Sequence, residues 1–272
     1  MTRLQSTALA LCAVLFAVSA AGCGGSSATP LPSGISDPAI IVSHSFAAME
    51  AAGTFHVEGT IDGTVNASAL GSFIGMGSLG LEGTLNVSGS TLTGDVDMAR
   101  PAAHVTATFP RLFGVSVDGI LVDGYWYTKL STSNKYTKYN AVTSLFASPP
   151  PDGKLNIGNE LKALEARLDA AGVKATLSGR ETVDGRDVYH LVANVPDSVL
   201  NSQVSMAGPG ATSLGIVLAP VDCWVYVDTL QLARIRVQAS SATLGNLDLS
   251  LILTRYGESV TVTAPSADQV GS

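Results

Sequence analysis

Apolar and polar residues alternate along most of this chain. Phe55, Val57 and Ile61 alternate with His56, Glu58 and Asp62, and Leu81, Leu85 and Val87 with Glu82, Thr84 and Asn86. Leu92, Val96 and Met98 alternate with Thr93, Asp95 and Asp97, and Val115 and Val117 with Ser116 and Asp118. Ala233, Ile235 and Val237 alternate with Arg234, Arg236 and Gln238, and Leu247, Leu249, Leu251 and Leu253 with mostly polar residues. A period of two with one apolar face predicts antiparallel strands that are wet on one side. Asp123-Gly124 and Asp184-Gly185 are hairpin turn signals. Gly257-Glu258 predicts a turn into a last strand over 260–263.

Helical spacing is confined to short stretches. Asp37-Pro38 is a cap and first-turn pair, after which Ala39, Val42, Phe46 and Met49 recur on one face up to Gly53. Ile157, Leu161, Leu164 and Leu168 form a second stripe, with Lys162, Glu165 and Arg167 opposite and Gly172 as the stop. A shorter helix is expected over 198–204, after Pro196-Asp197.

Roughly ten strands thus offer one apolar face, and only two or three short helices can cover it. Aromatic residues make up 6% of the chain, and the inward positions are mainly Val, Leu, Ala and Gly. Interiors pack densely, and the bulk available here is thin, so an apolar cavity is expected. Such a cavity stays dry and accepts hydrocarbon. A fully packed sheet-and-helix core is the alternative. The alternation places Phe55, Val57, Leu85, Val96, Val117, Leu121, Val225, Ile235, Val237, Leu249 and Leu251 on the cavity side of the sheet. Phe46, Met49, Leu161 and Leu164 face it from the helices.

The net charge is −7 and there is no basic block. Nucleic acid is excluded as a partner, since phosphate neutralisation needs clustered cations. The start of the chain sets an address. Arg3 precedes the apolar run 8–21, which is too short to span a membrane comfortably. Ser19-Ala20-Ala21-Gly22-Cys23 then reads as a lipobox, although Ala20 stands where Leu is commoner. The expectation is a signal peptide over 1–22, diacylglycerol on Cys23, and a Gly/Ser/Pro-rich tether up to 36. The alternative is an ordinary secretory signal with an incidental cysteine. One domain over 37–266 and a tail over 267–272 complete the chain. Cys12 leaves with the signal and Cys23 is the anchor, so Cys223 has no disulfide partner and reads as a small buried hydrophobe.

Catalytic and cofactor motifs fail on context. Gly75-Met76-Gly77-Ser78-Leu79-Gly80 matches a dinucleotide fingerprint, but no helix follows it. The stretch 69–81 reads instead as an apolar loop at the cavity mouth or against the membrane, or as a hairpin tip covered by the core. His44, His56, His104 and His190 lack metal-ligand spacing. Asp95 and Asp97 read as a solvated strand face. No nucleophile, base and orienting group can be assembled, so neither an enzyme nor a cofactor or metal site is expected.

Three stretches resemble the LppX/LprAFG family of cell-envelope lipoproteins. They are Val122-Asp123-Gly124-Tyr125-Trp126-Tyr127, then Ser178-Gly179-Arg180-Glu181-Thr182-Val183-Asp184-Gly185, then the closing stretch 255–265. The glycine-rich insert over 69–80 departs from the family pattern. The resemblance implies an α+β fold: a curved antiparallel half-barrel sheet, with two to three helices over its concave face, enclosing an apolar cavity. It also implies a monomeric carrier of multi-acyl lipids or glycolipids, anchored on the extracytoplasmic face of the cell membrane, with a lipid exporter as a candidate partner. The rival reading is an envelope structural or interaction lipoprotein with a packed core and no cargo. Trp224 and Tyr226, which alternate opposite Cys223 and Val225, would then form an outward apolar patch.

Overall fold

The computed structural model describes residues 35–67, 83–140, 166, 168–196 and 216–271. The signal, Cys23, Leu161, Leu164, the 69–81 loop with its glycine motif and the 198–204 helix all lie outside the described residues.

Helix α1 (Pro38–Ala52) begins where Asp37 accepts a 2.9 Å hydrogen bond from the Ala39 amide. It ends at Gly53, whose left-handed φ of +72° lets its amide reach the Met49 carbonyl. The buried face is Ile41, Val42, Ser45 and Met49. Ala39, expected on that face, is exposed, and Phe46 is half-buried. The stripe is rotated by about one residue because its centre, Ser45, is polar and broke the apolar pattern. Ile35, at the end of the expected tether, already packs against the core. The end of the second helix is also present. Leu168 is buried, and Gly172 turns the chain at φ +72°.

The strands are β1 (Thr54–Asn66), β2 (Thr84–Asn86), β3 (Ser90–Asp97), β4 (Ala102–Phe109), β5 (Val115–Val122), β6 (Tyr125–Leu130) and β7 (Thr137–Asn140). They continue as β8 (Ala175–Val183), β9 (Arg186–Ala193), β10 (Val217–Leu218), β11 (Val221–Tyr226), β12 (Leu232–Ser241) and β13 (Gly245–Thr254). All belong to one 13-stranded sheet, more than the sequence pattern suggested, in the order β7-β6-β5-β4-β3-β1-β13-β12-β11-β9-β8. Short β2 adds to β1 and short β10 to β12. Every pairing between these strands is antiparallel. The result is a mostly antiparallel, curved, open sheet with few helices. Helix α1 packs against it, touching β1, β12 and β8.

Both predicted hairpins form as read. Asp123 and Gly124 have φ of +52° and +75°, and Asp184 and Gly185 have +50° and +77°. Two successive positive φ values make the type I′ turn that matches strand twist.

The expected last strand over 260–263 does not form. Both edges of β13 are already taken, by β1 and by β12. After Gly257 the chain instead crosses the outer face, where Val262 and Val270 pack on Ile120, Tyr127 and Tyr136. The stretch read as a tail is held there too. A 3-10 turn over Ala267–Gln269 precedes Val270, which bridges to Tyr136.

Candidate functional site: the apolar inner face

The strand registers stack inner-face residues into rows that cross the sheet. In one row Phe55 faces Val96, Val96 faces Ala103, Ala103 faces Leu121 and Leu121 faces Trp126. In another, Gly59 faces Leu251, followed by Ile235, Cys223, Leu191 and Leu177. A third runs Ile61, Leu249, Val237. These rows and the buried side of α1 form one apolar cluster.

Most residues picked from the alternation lie in it. Met49, Phe55, Val57, Val96, Leu121, Val225, Ile235, Val237, Leu249 and Leu251 are buried there, and Phe46 packs against it. Two do not. Leu85 is half-exposed on β2, beside the end of β1, and Val117 is half-exposed where β5 faces Ala107 and Leu130. Neither is among the residues that pack in this cluster. Alternation reports which side a residue faces, not how far along the strand the cover extends.

The sequence reading missed Ile41, Tyr189, Leu191 and Val221, all buried in the cluster. On β9 the pattern is masked because Val188 is buried on the opposite face as well. Tyr189 turns inward, and its hydroxyl accepts a 3.3 Å hydrogen bond from Arg180.

Under α1 the cluster leaves a chamber of about 30 Å³, bordered by Val42, Ser45, Leu168, Leu191, Cys223 and Leu232 among others. That is room for one water, not for an acyl chain. Its wall is apolar except at two groups. The Ser45 hydroxyl has no hydrogen-bond partner among the described residues, although Ser45 is only 5% exposed. Cys223 is a free thiol. Its side chain is half-buried rather than buried as expected; desolvation against the apolar chamber, with the Asp222 charge adding to it, pushes the thiol pKa up to about 12, so it stays neutral. A second, open groove of about 400 Å³ lies where β1, β12 and β13 meet β10, with Asp62, Gln238, Asn246 and Asp248 on its rim.

The outer face carries the polar chemistry, and it is self-satisfied. His56 Nδ1 lies 2.6 Å from Asp95, directly across from it in the register. His104 Nε2 is 2.7 Å from Asp118. His190 sits between Glu181 and Asp222 at 2.7 and 2.8 Å. Among the described residues no cluster of His, Cys, Asp and Glu is arranged to hold a metal. Asp97, expected on a solvated face, is instead buried and accepts hydrogen bonds from the backbone and side chain of Arg100, bracing the β3–β4 turn.

The expected outward patch at Trp224 and Tyr226 is not exposed. Both face outward but are buried at 8% and 5%. The Trp224 indole stacks on His190, donates to Glu181 at 2.9 Å and lies under Arg234, while Arg186 covers Tyr226. Charged side chains on neighbouring strands roof over what the alternation left open.

A family model described as LppX_LprAFG lipoprotein matches residues 37–262. Among solved structures, the chain is similar to the lipoprotein LppX of Mycobacterium tuberculosis, at 19% identity over 82% of this chain and 97% of that one, with a TM-score of 0.47. It is similar to LprF of Mycobacterium bovis at 20% identity, over 84% of this chain and 96% of that one, with a TM-score of 0.45. A LolA superfamily protein from Nitrosomonas europaea aligns at 9% identity over 80% and 92% of the two chains, with a TM-score of 0.28. No curated protein sequence matches the chain significantly.

Proposed function

The chain belongs to the LppX_LprAFG lipoprotein family, and from that premise we propose that it binds multi-acyl lipids or glycolipids against the inner face of its sheet and carries them within the cell envelope. The observation that carries this reading is the continuous apolar inner face, running from Leu121 on β5 to Leu191 on β9, with α1 and Leu168 at the end of the second helix against it. Acyl chains would leave the bilayer for this surface, each buried methylene contributing about 0.8 kcal/mol. The headgroup would stay at the rim. Diacylglycerol on Cys23 would hold the domain at the extracytoplasmic membrane surface and raise its effective concentration beside the lipid source.

The test is native mass spectrometry of the full chain after mild extraction. Co-purified lipid is the expected result, and protein that is reproducibly lipid-free would overturn the proposal. One observation favours the rival structural lipoprotein with a packed core. The chamber under α1 measures only about 30 Å³, so a carrier must widen it to admit a chain.

A further inference from the structure

The turn between β4 and β5 presents an aromatic side chain to solvent at a position that neither packing nor backbone preference explains. Phe113 is 95% exposed. Its φ is +59°, a left-handed conformation that suits Gly or Asn and is unfavourable for a bulky residue. The turn is nonetheless firmly built. The amides of Leu112 and Val115 donate to the carbonyls of Phe109 and Leu112, each at 3.1 Å. Arg111 Nε donates to the Ser88 carbonyl at 3.1 Å, tying the turn to the neighbouring β2–β3 turn.

The surroundings are cationic in an acidic protein. Over 109–140 the cations are Arg111, Lys129, Lys135 and Lys138 and the carboxylates are Asp118 and Asp123, a balance of +2 against −7 for the whole chain. Asp118 is engaged by His104, Thr106 and Tyr136. Asp123 lies in the β5–β6 turn, at the opposite end of these strands. The end that carries Phe113 presents Arg111, and Lys135 from the adjacent β6–β7 turn, with Asp268 of the C-terminal segment near Lys135 as the facing carboxylate.

We propose that the β4–β5 turn is a membrane-contact finger: Phe113 inserts at the headgroup level of the bilayer, and Arg111 and Lys135 meet anionic headgroups. One aromatic on a narrow turn offers far less than the roughly 800 Å² per partner of a stable protein interface. At a bilayer that already holds the domain through its anchor, one apolar side chain and cations near an anionic surface orient the domain rather than bind it alone. The finger would point this end of the sheet at the membrane. The inference stands on where a lipoprotein is held and not on its cargo.

The test places benzoylphenylalanine at position 113 of the full chain in cells, with a second form carrying it at Asp184. Asp184 is also exposed, but sits in the β8–β9 turn at the other end of the sheet. After irradiation, the adduct at 113 should be phospholipid, in roughly tenfold excess over that at 184, the partition gain of one buried aromatic. Equal lipid labelling at both positions would overturn the proposal, and so would an adduct at 113 that is protein alone. Either failure leaves the co-purification of lipid cargo untouched.

Discussion

The indole of Trp126 lies across Gly119 on the inner face. A Cβ at Gly119 would stand 2.8 Å from Trp126 Cζ2, closer than such atoms approach one another. The two residues are on adjacent strands, and Gly119 is what lets Trp126 lie down against the sheet. Gly119→Ala is expected to lift the ring and destabilise the fold by about 1–3 kcal/mol. Chemical denaturation would read this as a lower midpoint at unchanged slope. Trp126→Leu combined with Gly119→Ala should recover most of the loss, since the clash is with the ring.

Ser45 makes the opposite prediction. Its hydroxyl is buried at 5% exposure against an apolar chamber with no partner among the described residues. An unsatisfied buried hydroxyl costs about 1–3 kcal/mol, and alanine is the better helix former. Ser45→Ala should therefore raise the unfolding free energy, by about 1 kcal/mol. A lower midpoint would show that the hydroxyl is bonded after all.

The third expectation concerns pH. Burial alone would raise the Asp118 pKa, but hydrogen bonds from Tyr136, His104 and Thr106 outweigh it and hold the carboxyl below its ordinary 3.8. A depressed carboxyl stabilises the fold above its unfolded pKa, and that contribution is lost as pH falls through the folded value. Wild type should thus exceed Asp118→Asn in thermal midpoint near neutrality, and the gap should close below about pH 4. Burial, with Asp118 beside it, pushes Tyr136 up from 10.0 to about 12. A raised phenol acts in the alkaline range, so stability should also decline between those two values as an unfolded Tyr136 ionises first. A midpoint gap that stays constant from pH 3 to pH 7 would refute the coupling.

What the sequence made legible follows from what alternation encodes. It encodes facing, so Phe55, Val96 and Ile235 read as one apolar face and fall in one cluster, and the turns at Asp123 and Asp184 follow from local backbone preference. It does not encode what lies above a face. Trp224 looked exposed because the pattern cannot see Arg234 and Glu181 arriving from other strands. The strand expected over 260–263 failed because pairing needs a free edge, a property of the whole sheet. On α1, a polar Ser45 at the centre of the buried face shifted the apparent stripe.

The two functional readings part at Leu249 and Val237. These residues face each other across β13 and β12 and are buried at 6% and 5%. Ile61, opposite Leu249 on β1, is only half-buried. The row therefore lies where dense cover gives way to looser packing, and an added indole has somewhere to go in a carrier whose interior opens for chains. Leu249→Trp should then keep its unfolding midpoint within the scatter of surface substitutions, about 0.5 kcal/mol. It should also lose co-purified lipid, because the ring occupies the surface an acyl chain needs. If the interior is a finished core, the same substitution has no room and should cost about 1–3 kcal/mol. Thermal unfolding and native mass spectrometry on one protein preparation read both quantities. A destabilised variant whose parent holds no lipid would decide for the packed core. A stable variant that has shed its lipid decides for the carrier, because an interior that opens for chains takes up a tryptophan that a finished core cannot.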